Sequence, residues 1–167
     1  MTVDWAHVYR TTFEDLVRFL YRKVWDADRA HDLAQEAFVR GLNETPDHPR
    51  AWLFTVAGNL ARDEARAAER RKRHLVLIKT EAELRPVPNP AEELDRSEQV
   101  RAVRRALESL TERDRDVLLL WDAGLNYEEI AAETGLAGSA IGTTLARARK
   151  RLVAAYEAQE ERHAAHQ

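Results

Sequence analysis

The chain contains no cysteine. Disulfide frameworks, thiolate nucleophiles and cysteine-ligated zinc are thereby excluded. Only 6 glycines and 5 prolines punctuate its 167 residues, which favours long helices over many short strands. Aromatics are scarce, at 7%. No apolar run approaches the roughly 20 residues of a membrane-spanning helix, and 33% of residues are charged, so no membrane insertion is expected. Met1-Thr2-Val3-Asp4-Trp5 lacks the basic and apolar regions of a signal peptide, and a cytoplasmic protein is expected. The 44% hydrophobic fraction is too high for a disordered chain. The length suits one medium domain or two small ones.

The charge that is present is unevenly distributed. The net charge of -3 hides alternating segments. Residues 26–49 carry six acids against two arginines, and residues 50–73 carry seven cations against three acids. Arg147, Arg149, Lys150 and Arg151 form a second basic cluster with no acid among them. Local basic patches on a weakly acidic chain suit nucleic acid. Solvated helix faces would produce the same pattern.

Apolar periodicity predicts helices. Trp5, Val8, Tyr9, Phe13, Leu16, Leu20 and Val24 recur at gaps of three and four. Ala30, Leu33, Ala34, Ala37 and Phe38 continue with the same period, and Pro46 and Pro49 mark a break. A third helix follows with Trp52, Leu53, Val56, Ala57, Leu60 and Ala61 on one face. Its far end, residues 66–73, loses the large apolar side chains and should project from the core. Pro86, Pro88 and Pro90 at alternate positions favour extended chain and block helix. The expected organisation is all-α: two small helical domains, residues 1–74 and 93–167, joined by a flexible proline-containing linker at 75–92. No period-two alternation is long enough for a strand.

The second domain carries the most specific local pattern. Thr111-Glu-Arg-Asp114 and Asn126-Tyr-Glu-Glu129 both read as capping boxes. A helix of about eight residues, a turn at Gly135-Leu-Ala-Gly138 and a long helix from about Ser139 have helix-turn-helix spacing. Ile130, Ala131, Leu136, Ile141 and Leu145 would form the small shared core. The second helix would then expose Ser139, Gly142, Thr143, Ala146, Arg147 and Lys150, with early residues at base edges and later cations at phosphates. A plain helical hairpin is the competing interpretation, and the acid-free run from Arg147 to Arg151 weighs against it.

Three blocks, in order, resemble the extracytoplasmic-function group of bacterial sigma factors in the sigma-70 family. Residues 28–38 are similar to the family's acidic core-binding helix, residues 49–66 to its promoter-melting helix, and residues 110–120, 124–131 and 147–150 to its helix-turn-helix domain. The resemblance implies a protein that binds core RNA polymerase, directs it to promoters and helps melt promoter DNA, with no bond chemistry, cofactor or metal of its own. It places Asp32, Leu33, Gln35 and Glu36 on the clamp helices of the polymerase β′ subunit, and the second domain on the β flap. It places the 43–49 loop and Asn59 at a captured base of the minus-ten element, and Arg62, Arg66, Arg70, Arg71 and Arg73 along the phosphates nearby. Ser139, Thr143, Arg147, Arg149 and Lys150 fall where the minus-thirty-five element is read. An anti-sigma factor is a further partner of many family members.

The chain departs from the family at Gly58, Gly142 and Thr144, where basic residues are usual; two expected DNA contacts of the recognition helix would be lost. Trp52 could stack on a base, although its apolar face favours the core. The alternative function is a stand-alone helix-turn-helix repressor, with residues 1–75 as a ligand or dimer domain; the basic helix at 50–73 counts against it. Support for an enzyme is thin. Glu160-x-x-His163 and His163-x-x-His166 have helical metal spacing, but no second cluster completes a site. Ser97, Ser109 and Ser139 have no nearby His–Asp arrangement.

Overall fold

The computed structural model describes residues 2–78 and 97–166; the prolines at 86, 88 and 90 lie outside them. Helix α1 (Trp5–Val24) begins where the Asp4 carboxylate accepts the His7 N–H at 3.0 Å, satisfying one of the amides that a helix start leaves unpaired. It ends at Trp25, whose φ of 55° lies in the left-handed region. That backbone is costly for a bulky residue. The indole is held there by the Tyr21 ring at 5.6 Å and by the guanidiniums of Arg22 and Arg104 at 6.0 and 5.7 Å. Asp26 follows at once and caps α2 (Ala27–Gly41), accepting from the Arg29 N–H at 3.0 Å.

Helix α3 (Pro49–Ile78) starts on a proline, whose fixed φ suits the first helical position and whose missing N–H costs nothing there. Its first half packs against α1 and α2. Leu53, Phe54 and Ala57 are fully buried beside Leu16, Leu20, Leu33 and Ala34, and Phe19 meets Phe54 edge-on at 5.2 Å. Each such leucine or phenylalanine contributes about 1.5–3 kcal/mol by leaving water. After Ala61 the buried face stops. Side chains from Ala65 to His74 are exposed or half-buried, as the loss of large apolar residues predicts.

The second set comprises α4 (Ser97–Glu108), α5 (Glu112–Asp122), α6 (Tyr127–Thr134) and α7 (Gly138–Ala164). Leu107, Leu110, Val117, Leu120, Leu125, Ile130, Ile141 and Leu145 form its core. The Asn126–Glu129 capping box is complete: Glu129 N–H donates to Asn126 at 2.9 Å, and Asn126 N–H donates to the Glu129 carboxylate at 2.8 Å. The Thr111 box is only half made. Thr111 accepts the Asp114 N–H at 3.2 Å, but the Asp114 carboxylate turns inward instead of reaching back. Gly135, at φ 73°, closes α6, and α7 begins one residue earlier than the spacing predicts. Among the described residues there is no strand.

The two sets meet along a seam, with α1 against α5 and α3 against α6. Lys23 pairs with Asp116, Arg50 donates to the Ala123 carbonyl at 2.6 Å, and the Thr55 hydroxyl donates to the Glu133 carboxylate.

Candidate polymerase and nucleic-acid interface

Helix α2 presents Asp32 and Gln35 fully to solvent and Glu36 half so. Glu36 pairs with Arg40 one turn on, at 2.7 Å. Leu33 stands apart from this set: at 1% exposure it belongs to the core and can shape a contact only from beneath. Arg29 braces α2 on α3 through two hydrogen bonds to Glu64, at 2.9 and 2.8 Å. That hydrogen bonding, with the Arg29 charge, holds the Glu64 carboxyl below the usual range.

A depression of about 380 Å³ opens between the end of α2 and the start of α3, lined by Arg40, Glu44, Trp52, Val56 and Asn59. Trp52 does both things the sequence left open. Its ring packs edge-on against Trp5 at 6.0 Å, while part of it walls the depression. Asn59 is exposed, and its Oδ1 accepts from Arg62 Nη1 at 2.8 Å. A planar aromatic wall beside a side-chain amide offers stacking and base-edge pairing together.

From that depression Asn59, Arg62, Arg66, Arg70 and Arg73 recur at gaps of three and four along α3, forming one stripe about 21 Å long at ~1.5 Å per residue. Arg66, Arg70 and Arg73 are exposed. Arg71 lies off the stripe, 3.7 Å from Glu64. Arg62 bends toward the second domain, 3.5 Å from Glu112 and 3.7 Å from Asp116.

In the helix-turn-helix unit, Ser139, Thr143, Arg147 and Lys150 are all exposed at gaps of four, four and three, so they share a face of α7. Arg147 is tethered: it donates to Asp114 at 3.0 Å while Arg151 donates to the other oxygen at 2.9 Å. Burial alone would push the Asp114 carboxyl up, but the hydrogen bonds and charges of the two arginines outweigh it and hold it low. Arg149 lies away from the stripe, its guanidinium 5.7 Å from the Trp121 ring. Thr144 is 6% exposed. A long cation at 144 would therefore start from the core, so the threonine there does not by itself remove a DNA contact. Gly142 faces the Tyr127 ring, with about 3.5 Å between its missing Cβ and the nearest ring atom.

Sequence reasoning missed the acid at the base of this face. Asp114 lies 33 and 37 residues from its two partners, beyond any helical period. It also missed the seam, whose pairs are 35 to 93 residues apart. His163, singled out for metal spacing, lies 3.6 Å from Glu98.

An acidic helix face, a basic stripe opening from an aromatic-walled depression, and a helix-turn-helix unit define a protein that meets nucleic acid at two places. Sequence families agree. Sigma-70 region 2 matches residues 8–71 and Sigma-70, region 4 matches residues 100–152. The chain is 30% identical over 156 residues to the RNA polymerase sigma factor YlaC of Bacillus subtilis, covering 87% of each. It is 34% identical over 137 residues to the ECF RNA polymerase sigma factor EcfG of Rhodopseudomonas palustris, covering 77% of this chain and 72% of that one. Its fold is similar to that of the sigma factor RpoE of Bartonella quintana, solved in complex with the anti-sigma factor NepR. The TM-score is 0.66 at 24% identity, over 92% of this chain and 97% of that one. The chain belongs to the extracytoplasmic-function group of the sigma-70 family, whose members direct RNA polymerase to promoters. Among the described residues no helix is long and apolar enough to cross a membrane.

Proposed function

We propose that the two faces divide the work of initiation as the sequence blocks imply. Asp32, Gln35 and Glu36 dock on the β′ clamp helices of core RNA polymerase, with Leu33 holding their helix in place from the core. The depression beside Asn59 and Trp52 takes an unstacked base of the minus-ten element. Arg62, Arg66, Arg70 and Arg73 follow the adjoining phosphates, with Arg71 at their margin. Ser139, Thr143, Arg147 and Lys150 read the minus-thirty-five element, and Arg149 supports that helix through Trp121. The second domain contacts the β flap.

The observation that carries this reading is the alignment of the depression with the arginine stripe on a single helix. Holding one base out of the stack costs a few kcal/mol; stacking on an aromatic ring returns about 1–3 kcal/mol, and cations in line neutralise the exposed backbone. The protein needs no bond chemistry for this and works in the cytoplasm beside the polymerase. An anti-sigma factor is its expected regulator, as with the similar RpoE. The repressor alternative gains nothing from the geometry, since a duplex reader has no use for a base-sized depression.

Run-off transcription with bacterial core polymerase on sheared genomic DNA tests the assignment. The protein is expected to create new start sites that share two spaced upstream elements. Asp32→Ala with Glu36→Ala should abolish them through lost core binding, and Asn59→Ala should lower them while core binding persists. New starts that survive both variants would overturn the assignment.

A further inference from the structure

The stripe on α3 has one residue that does not face outward. Arg62 is drawn to Glu112 and Asp116 of α5, and Asp116 also holds Lys23 of α1. One turn before Arg62, Gly58 is buried under α6: a Cβ there would stand 3.4 Å from Glu133 Oε1. This is the position where the resemblance calls for a basic residue. A long side chain at 58 would occupy the space that Glu133 takes. Arg50, at the start of the same helix, closes the far end of the seam on the Ala123 carbonyl. Three carboxylates of the second domain, Glu112, Asp116 and Glu133, thus crowd the beginning of a face built for phosphates.

This closed arrangement is incompatible with promoter recognition at both elements. Elements named for positions twenty-five base pairs apart are separated by about 85 Å of duplex, at roughly 3.4 Å per pair. Helix α7, the longest of the second domain at 27 residues, spans about 40 Å. The domains must therefore part. The seam suits reversible parting: a cavity of about 310 Å³ remains in it, with Lys23, Arg62, Arg113, Glu112, Asp116 and Glu133 among its walls. It is held by ion pairs and hydrogen bonds that water can replace.

We propose that the chain inhibits itself: the second domain docks through Glu133 into the notch left by Gly58 and, with Glu112 and Asp116, withholds Arg62 from single-stranded DNA until the domains separate. This inference rests on the assignment of the α3 stripe to DNA. Gly58 is then a docking feature of this chain, and its departure from the family pattern has a physical reason.

The absence of cysteine makes the test direct. Spin labels on Glu69→Cys and Ala132→Cys, both exposed, report the distance between α3 and α6 in the full chain without polymerase. The wild-type background should give one short, narrow distance. Lys23→Glu and Gly58→Arg should each lengthen and broaden it, and Lys23→Glu with Asp116→Lys should restore it. A wild-type distance that is already broad, or one that neither variant moves, overturns the closed state. The second readout is binding of a fluorescent random-sequence single-stranded oligonucleotide to unlabelled protein. Lys23→Glu removes a cation, yet it should bind about fivefold tighter, the gain from opening a closed form populated four to one. Equal or weaker binding by Lys23→Glu, with the distance lengthened, overturns inhibition. Arg66→Ala with Arg70→Ala serves as the control for the stripe: if binding is unaffected, the DNA assignment fails, while the distance measurement still decides closure.

Discussion

The two cationic stripes are built in opposite ways. On α3 the arginines at 66, 70 and 73 stand on a helix that has left its core, and among the described residues no ion pair holds them. On α7 the central arginine is fastened to a buried carboxylate that a second arginine shares. The difference corresponds to what each stripe is proposed to meet. A duplex is a rigid partner with fixed base edges, and a guanidinium already held in place loses less side-chain entropy on docking. A separated strand is flexible, and cations free to follow it bind wherever its phosphates lie.

The comparison breaks most readily at Asp114. Asp114→Asn removes the charge that both arginines share and should destabilise the second domain by about 2 kcal/mol, measured as loss of hydrogen-exchange protection in α5–α7 with α1–α3 unaffected. The same variant has a pH signature. Because the folded-state carboxyl lies below its ordinary value, the unfolded chain binds the extra proton first as the solution is acidified. The stabilisation is complete above the ordinary aspartate range and drains away as pH falls through the folded value. Acid titration of wild type should show this slope in α5–α7, and Asp114→Asn should flatten it.

The free stripe should respond differently. Arg66→Ala, Arg70→Ala and Arg73→Ala together should weaken single-strand binding about tenfold and reduce the salt slope by about 2, while thermal stability changes by less than about 0.5 kcal/mol. An equal loss of stability would mean that these arginines brace the fold after all. The smallest effect sharpens the contrast at the scaffold. Asn126→Ala opens the complete capping box at the start of α6 and should cost about 1 kcal/mol by denaturant unfolding, with the α3 stripe untouched.

Local pattern accounts for what could be read beforehand. The Asn126–Glu129 box, the turn at Gly135 and the alternation of core and surface along α7 all involve residues within one or two helical turns, and all appear as the spacing predicts. Thr111–Asp114 has the same local signature, yet only its cap forms, because two arginines more than thirty residues away compete for the carboxylate. Leu33 shows the same limit in reverse. The resemblance places it among exposed neighbours, while helical period puts it with Ala30, Ala34 and Ala37 on the buried face. The seam was not legible at all. Lys23 with Asp116, and Thr55 with Glu133, are pairings of solvent-facing residue types that leave no trace in periodicity.

Helix α3 runs unbroken from the depression to beyond the last arginine of the stripe. The base pocket and the cations are therefore parts of one stiff rod rather than independent attachments. Once a single base is seated, the angle and distance of every later charge are set, at about 100° and 1.5 Å per residue. The helix acts as a vernier: one nucleotide engaged at its root indexes the strand beyond it, so the place where the strands separate follows from the pitch of the helix.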